Sequence, residues 1–176
     1  MKLFRRISCY FDRITYEIKS INKLKTLIFM GIFLILGVFS WILGGKVDRV
    51  FLLYTFPACA MGIVFAFLLW GLFFILCGFI FAGIAFGCKR YRRNISYKIC
   101  LYIILMFIFI LTFYPLFMGA RAPFIALISI LVSILFCLMA ILSAYRYFSL
   151  WNVALILYGL WLIYNAYVCL AFILIN

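Results

Sequence analysis

The sequence predicts an all-α membrane protein: a bundle of five transmembrane helices preceded by an N-terminal amphipathic arm. Three observations carry that expectation. Of 176 residues, 72% are hydrophobic and only 11% are charged, with a mean hydropathy of +1.35; soluble domains run near ~45–50% apolar and ~25% charged. The few charges leave five long uncharged intervals, and the positive ones fall unevenly on the two sides that those intervals define. A water-soluble fold is excluded.

The arm, residues 1–25, carries Leu3, Ile7, Tyr10, Ile14, Ile18, Ile21 and Leu24 at steps of three and four with basic residues between them. That is the pattern of a helix lying on an anionic leaflet; the same charges also read simply as a topology signal. The apolar run starts only at Thr26 and no A-x-A-like site follows it, so a cleaved signal peptide is not expected.

The uncharged intervals are 26–45, 50–88, 99–120, 122–145 and 147–176. Each needs about 20 apolar residues to span the hydrocarbon. Four of them fit one helix, whereas 39 residues between Arg49 and Lys89 would make a helix of about 58 Å, roughly twice the bilayer core. No polar turn interrupts residues 68–73, and a reversal there would strand backbone groups in lipid. Pro57 offers the better break. Residues 46–60 are therefore expected to be irregular or interfacial, and the helices to run over about 26–45, 61–88, 99–118, 123–145 and 149–175.

The charges then acquire a meaning. With five spans, 13 of the 16 Lys and Arg residues lie on the side of the arm and of the 89–98 loop, and three (Lys46, Arg49, Arg121) on the other. The positive-inside rule puts the N-terminus in the cytoplasm and the C-terminus on the opposite side; a bacterial cell membrane is the expected setting. A formal charge of +13 that would point to nucleic acid in a soluble protein is accounted for by topology, so no nucleic-acid partner is expected. The Asn94-Ile95-Ser96 sequon faces the cytoplasm and is expected to remain unglycosylated.

There is no His, no acid after Asp48, and no base inside a span. Pumps and ion-coupled carriers keep such groups at mid-membrane, and acid–base catalysis and metal ligation draw on the same residues. No catalytic set, metal or resident cofactor is expected. The seven cysteines form no C-x-x-C, and most lie in apolar runs, where a thiol packs as a small hydrophobe.

Two small-residue faces are expected to pack. Helix four presents Ala126, Ser129, Ser133, Cys137, Ala140 and Ala144; helix two presents Gly78, Ala82, Gly83 and Gly87. Either serves a contact within the bundle or a dimer. On helix five, Tyr158, Trp161, Asn165, Cys169 and Asn176 share one face. An amide in hydrocarbon requires a partner, so this face should look inward, either to an interhelical hydrogen bond with aromatic packing or as the wall of a small-molecule site.

At these residues the chain resembles the TspO/MBR family of tryptophan-rich sensory proteins, which includes the mitochondrial translocator protein. Residues 113–127, FYPLFMGARAPFIAL, are similar to the family's W-x-P-x-F-F-G-x-R…A-L, matching at Pro115, Phe117, Gly119 and Arg121. Residues 158–176 resemble P-Y-x-x-W-x-x-F-A-x-x-L-N…N, with Tyr158, Trp161 and Asn176 in register. Upstream, the glycines of ILGG at 42–45, then Phe51, Tyr54 and Pro57, fall where the family has its first-helix glycines and first loop, and residues 62–70 resemble W-V-F-G-P-V-W with one extra residue. Leu157, Asn165, Cys169, Ile110, Ala60 and Met61 depart from the family pattern. The similarity covers 26–176.

The resemblance implies a flat apolar ligand, a porphyrin or another tetrapyrrole, held between helices and the first loop, with the protein acting as sensor, regulator or carrier in contact with membrane lipids and as a homodimer. The implied binding residues are Trp70, Phe113, Tyr158, Trp161, Asn165, Val168 and Cys169. The tetrapyrrole photodegradation ascribed to the family would use Trp70 and Trp161; apart from it no enzymatic activity is expected. A membrane scaffold or assembly protein with a decayed pocket is the alternative, and a passive carrier of apolar metabolites a third.

Overall fold

A computed structural model describes residues 21–45, 62–86, 93–147 and 149–176, together with 12, 14, 15, 17 and 19 of the arm. The expected irregular segment 46–60 lies outside the described residues, as do Gly87 and the arm's Leu3, Ile7, Tyr10 and Ile18. Among the described residues five helices are long and apolar enough to cross a membrane: α1 (Lys23–Leu43), α2 (Ile63–Phe86), α3 (Arg93–Tyr114), α4 (Pro123–Ala144) and α5 (Ser149–Ile175). They run alternately up and down and close a ring in which α1 packs on α2, α2 on α5, α5 on α4, α4 on α3 and α3 on α1, with α2 also touching α3. The chain is an integral-membrane type of helical bundle.

Helix ends differ from the spacing of charges. Helix α1 starts before Thr26, because Asn22 caps it: its Oδ1 accepts the Lys25 N–H at 3.2 Å. Helix α3 starts six residues before the uncharged interval, so that Arg93 and Lys98 sit within it. Long basic side chains extend along a helix toward the interface and need not end it. Helix α2 is one continuous helix through residues 68–73.

The end of α3 shows how this bundle handles a proline. Pro115 has no N–H to give the Leu111 carbonyl one turn earlier. In hydrocarbon a freed carbonyl needs another donor, and Ser40 of α1, itself buried, donates its hydroxyl to it at 2.6 Å. Beyond the proline the backbone widens into a π-helical turn, Pro115–Gly119, closed by the Ala120 N–H on the Pro115 carbonyl at 2.8 Å. That turn brings Phe117 and Met118 into the core. Arg121, at φ +52°, then reverses the chain into Pro123 at the start of α4.

Both small-residue faces are used inside the protomer. In α4 every member of the stripe is buried. Ser129 donates to the Phe109 carbonyl of α3 at 2.7 Å and meets Thr112 Oγ1 at 2.7 Å, Ser133 donates to the Met106 carbonyl at 3.2 Å, and Cys137 turns to the Leu155 carbonyl of α5 at 3.5 Å. In α2, Gly78 admits the backbone of Phe29 and Met30, and Gly83 admits the Trp151 indole so closely that a Cβ would fall 2.0 Å from a ring carbon. Lipid offers no hydrophobic drive for helix association, so these close approaches and interhelical bonds supply it.

The arm is tied to the bundle. Glu17 is buried, and its Oε2 accepts the Leu150 N–H at 2.8 Å. One of the three acids of the chain thus serves the unpaired donors and the positive dipole end of α5. Ile21 packs against the core. Leu24, expected on the apolar stripe, is exposed: the chain is not helical at Ile21 and Asn22, and Asn22 caps a new helix, so the spacing of the arm does not carry across to Leu24.

Two outcomes are expected. Ser40→Ala lowers stability by about 0.5–2 kcal/mol in thermal unfolding of the detergent-solubilised protein. The loss shrinks in a Pro115→Ala background, where the N–H restored at position 115 serves Leu111, and a double-mutant cycle reads the difference. Glu17→Ala costs about 0.5–2 kcal/mol, the range for a lost helix cap, and speeds proteolytic cleavage of the arm, while Glu17→Gln retains part of both.

Candidate functional site

Tryptophan is rare in the chain, with four copies, and the fold brings two of them into contact. Trp70 lies two turns into α2 and Trp161 near the middle of α5; both are buried, and their ring centroids are 4.9 Å apart at 57°. Around them the neighbouring helices contribute rings. Phe113 and Tyr114 of α3 lie 6.0 Å and 4.3 Å from Trp70, the latter edge-on. Tyr158, one turn before Trp161, lies 5.6 Å from it. Phe74 packs on Trp70 at 5.0 Å, and Phe73 lies flat on Trp161 at 4.5 Å and 12°. Such offset and edge-on pairs satisfy the ring quadrupoles, each contributing ~0.5–1.5 kcal/mol beyond area burial.

Of the seven residues expected from the sequence, Trp70, Phe113, Tyr158 and Trp161 therefore meet directly. Asn165 follows one turn along α5, half-buried, and its Nδ2 donates to the Trp161 carbonyl at 2.8 Å. The expected interhelical bond of that nitrogen is replaced by one within α5, since a short amide reaches the carbonyl four residues back. Cys169 is buried at the next turn, its Sγ donating to the Pro123 carbonyl of α4 at 3.4 Å. Val168 beside it is half-buried. The first loop, the expected cover of this site, lies outside the described residues.

No family model, curated protein or solved structure matches this chain. The site is therefore read from its own geometry.

Two polar groups in the cluster are orphans. The Trp70 Nε1–H is buried without a hydrogen-bond partner among the described residues, and so is the Tyr158 hydroxyl, which faces the Cys77 thiol without a well-formed hydrogen bond. A buried unmade hydrogen bond costs about 1–3 kcal/mol, so the cluster carries two unused hydrogen-bonding groups, one of them a pure donor. Among the described residues it holds no carboxylate and no base. Its chemistry is that of a flat apolar wall with two orienting contacts.

Sequence reasoning missed Phe73, Phe74, Tyr114 and Trp41; the last lies 4.3 Å from Tyr114. A signal was present: Phe73, Phe74 and Cys77 follow Trp70 at helical steps, on the face that turns inward. Among the described residues the buried cysteines Cys77, Cys100, Cys137 and Cys169 form no disulfide. Because the Tyr158 hydroxyl lacks a proper partner, Tyr158→Phe is expected to leave stability unchanged or raise it by up to about 1 kcal/mol in thermal unfolding. A loss above that size would mean that the hydroxyl is engaged.

Proposed function

We propose that this chain is a TspO-like membrane protein that binds a planar hydrophobic ligand of the tetrapyrrole type at the Trp70–Trp161 cluster, and that it acts as a sensor, regulator or carrier of that ligand. The reading rests on one observation: indoles from α2 and α5 converge at 4.9 Å while the Trp70 N–H is buried without a hydrogen-bond partner among the described residues. A flat conjugated ligand stacks on indole and phenol faces, and its ring nitrogens or carboxylates accept from the orphan donors. Residues Asn165, Val168 and Cys169 would extend the wall along α5. Leu157, which stands at a family proline, is exposed and does not touch the cluster.

The charge distribution supports an N-terminus in the cytoplasm, with the arm on that side and the C-terminus opposite. It places the cluster in the half of the bundle away from the basic end.

A second reading is a scaffold whose pocket has filled. Phe73 favours it, because its ring already occupies the stacking face of Trp161. The two separate in a titration of purified protein with protoporphyrin IX, followed by tryptophan quenching. Under the ligand reading binding saturates, and Trp70→Ala or Trp161→Ala weakens it about tenfold, the equivalent of ~1.4 kcal/mol. Trp151→Phe, at the far end of α5, leaves the affinity unchanged. Absence of saturable quenching, or equal affinity in all three variants, overturns it.

A further inference from the structure

At the opposite end of the bundle from the basic arm, a cavity of about 310 Å³ lies between the start of α4 and the end of α5. It is lined by Phe117, Arg121, Pro123, Phe124, Phe172 and Ile173, with Asn176 at the rim. None of the seven residues assigned to the aromatic cluster lines it. Phe117 separates the two, stacked on Phe113 at 5.4 Å on one side and meeting Phe172 edge-on at 4.9 Å on the other.

Its position selects the kind of ligand. Helix α4 has 22 residues and is thus about 33 Å long, close to the ~30 Å hydrocarbon core. The residues just before it, Arg121 and Ala122, therefore stand at headgroup depth, while Phe124, Phe172 and Ile173 line the groove below. Arg121 is exposed and held by a left-handed backbone, φ +52°. Of the three acids, Asp12 and Glu17 belong to the arm at the other end, and Asp48 lies outside the described residues. A guanidinium over an apolar groove between helix ends matches a phosphate with an acyl chain beneath it. Helix α4 starts there without a side-chain cap, which adds N–H groups of the same polarity.

We propose that this cavity binds an anionic phospholipid, its phosphate on Arg121 and one acyl chain between Phe124 and Phe172. The site does not depend on the tetrapyrrole reading. The test reconstitutes the protein in phosphatidylcholine vesicles with and without phosphatidylglycerol, extracts it gently, and counts retained lipid by native mass spectrometry. Phosphatidylglycerol should be retained in preference to phosphatidylcholine. Arg121→Gln should cut that retention about tenfold, with Arg121→Lys between the two. Arg146→Gln, an exposed base at the other end, should keep it, as should the Trp70→Phe/Trp161→Phe double variant.

Each opposite result overturns the proposal. Equal retention of the two lipids, or undiminished retention in Arg121→Gln, removes the site. Equal loss in Arg146→Gln assigns the effect to general surface charge. Loss in the double tryptophan variant assigns it to the aromatic cluster, and retention of added oleate in place of the phospholipid identifies a fatty-acid site instead.

Discussion

The constraint on which this structure depends is that hydrocarbon offers no hydrogen bonds, so each backbone group within the spans must find its partner in the protein. Most do so by being helical. The informative place is the one where helix cannot suffice. Pro115 removes a donor from α3, and Ser40 on α1 supplies a hydroxyl to the carbonyl left behind. That bond fixes the approach of α1 to α3, and the π-helical turn that follows places Phe117 between the aromatic cluster and the cavity beside Arg121. A single missing N–H thus couples helix packing to the geometry of both candidate sites.

The same requirement explains why serines stand in the small-residue face of α4. Ser129 and Ser133 are small enough to let α3 approach and polar enough to bond its carbonyls. Farther down, Cys137 performs the same office toward α5. Glycines do the corresponding work on α2, where Gly78 and Gly83 admit a backbone and an indole respectively. Faces that taken alone permit a dimer are consumed within one chain, so any dimer would have to be built from other, lipid-facing surfaces.

Much of the fold was legible because the bilayer imposes it: span number follows from the uncharged intervals, and the continuous α2 follows from the absence of a polar turn near residue 70. What was not legible depended on tertiary partners. The start of α3 is one such case, because a charge does not end a helix: Arg93 and Lys98 lie within it. The docking of Glu17 on α5 could not be foreseen, since the periodicity of the arm shows an apolar stripe and gives no reason for a carboxylate to be buried on the inner side. Trp70, Phe113, Tyr158 and Trp161, expected together, lie in contact, while no motif position marks Phe73 and Tyr114 beside them. The need of Asn165 for a partner follows from its type, but the competition between a neighbouring helix and its own backbone is decided by local reach.

The closed state of the aromatic cluster bears directly on whether it can take a ligand. Phe73 on Trp161 is a stacking pair worth roughly 0.5–1.5 kcal/mol beyond its buried area, and a planar ligand must replace that contact to reach the indole. In exchange it offers a larger face and acceptors for groups that now have none. Among the described residues the buried Trp70 N–H and Tyr158 hydroxyl have no hydrogen-bond partner, each at a cost of about 1–3 kcal/mol. Relieving even one of them offsets the loss of the phenylalanine stack. A purely apolar disc could not do so, because it would displace Phe73 and leave both groups unpaired. A ligand of the proposed kind would therefore need acceptors, and flat hydrocarbons of the same size would be disfavoured, the discrimination open to two indoles and one phenol without help from a charged side chain.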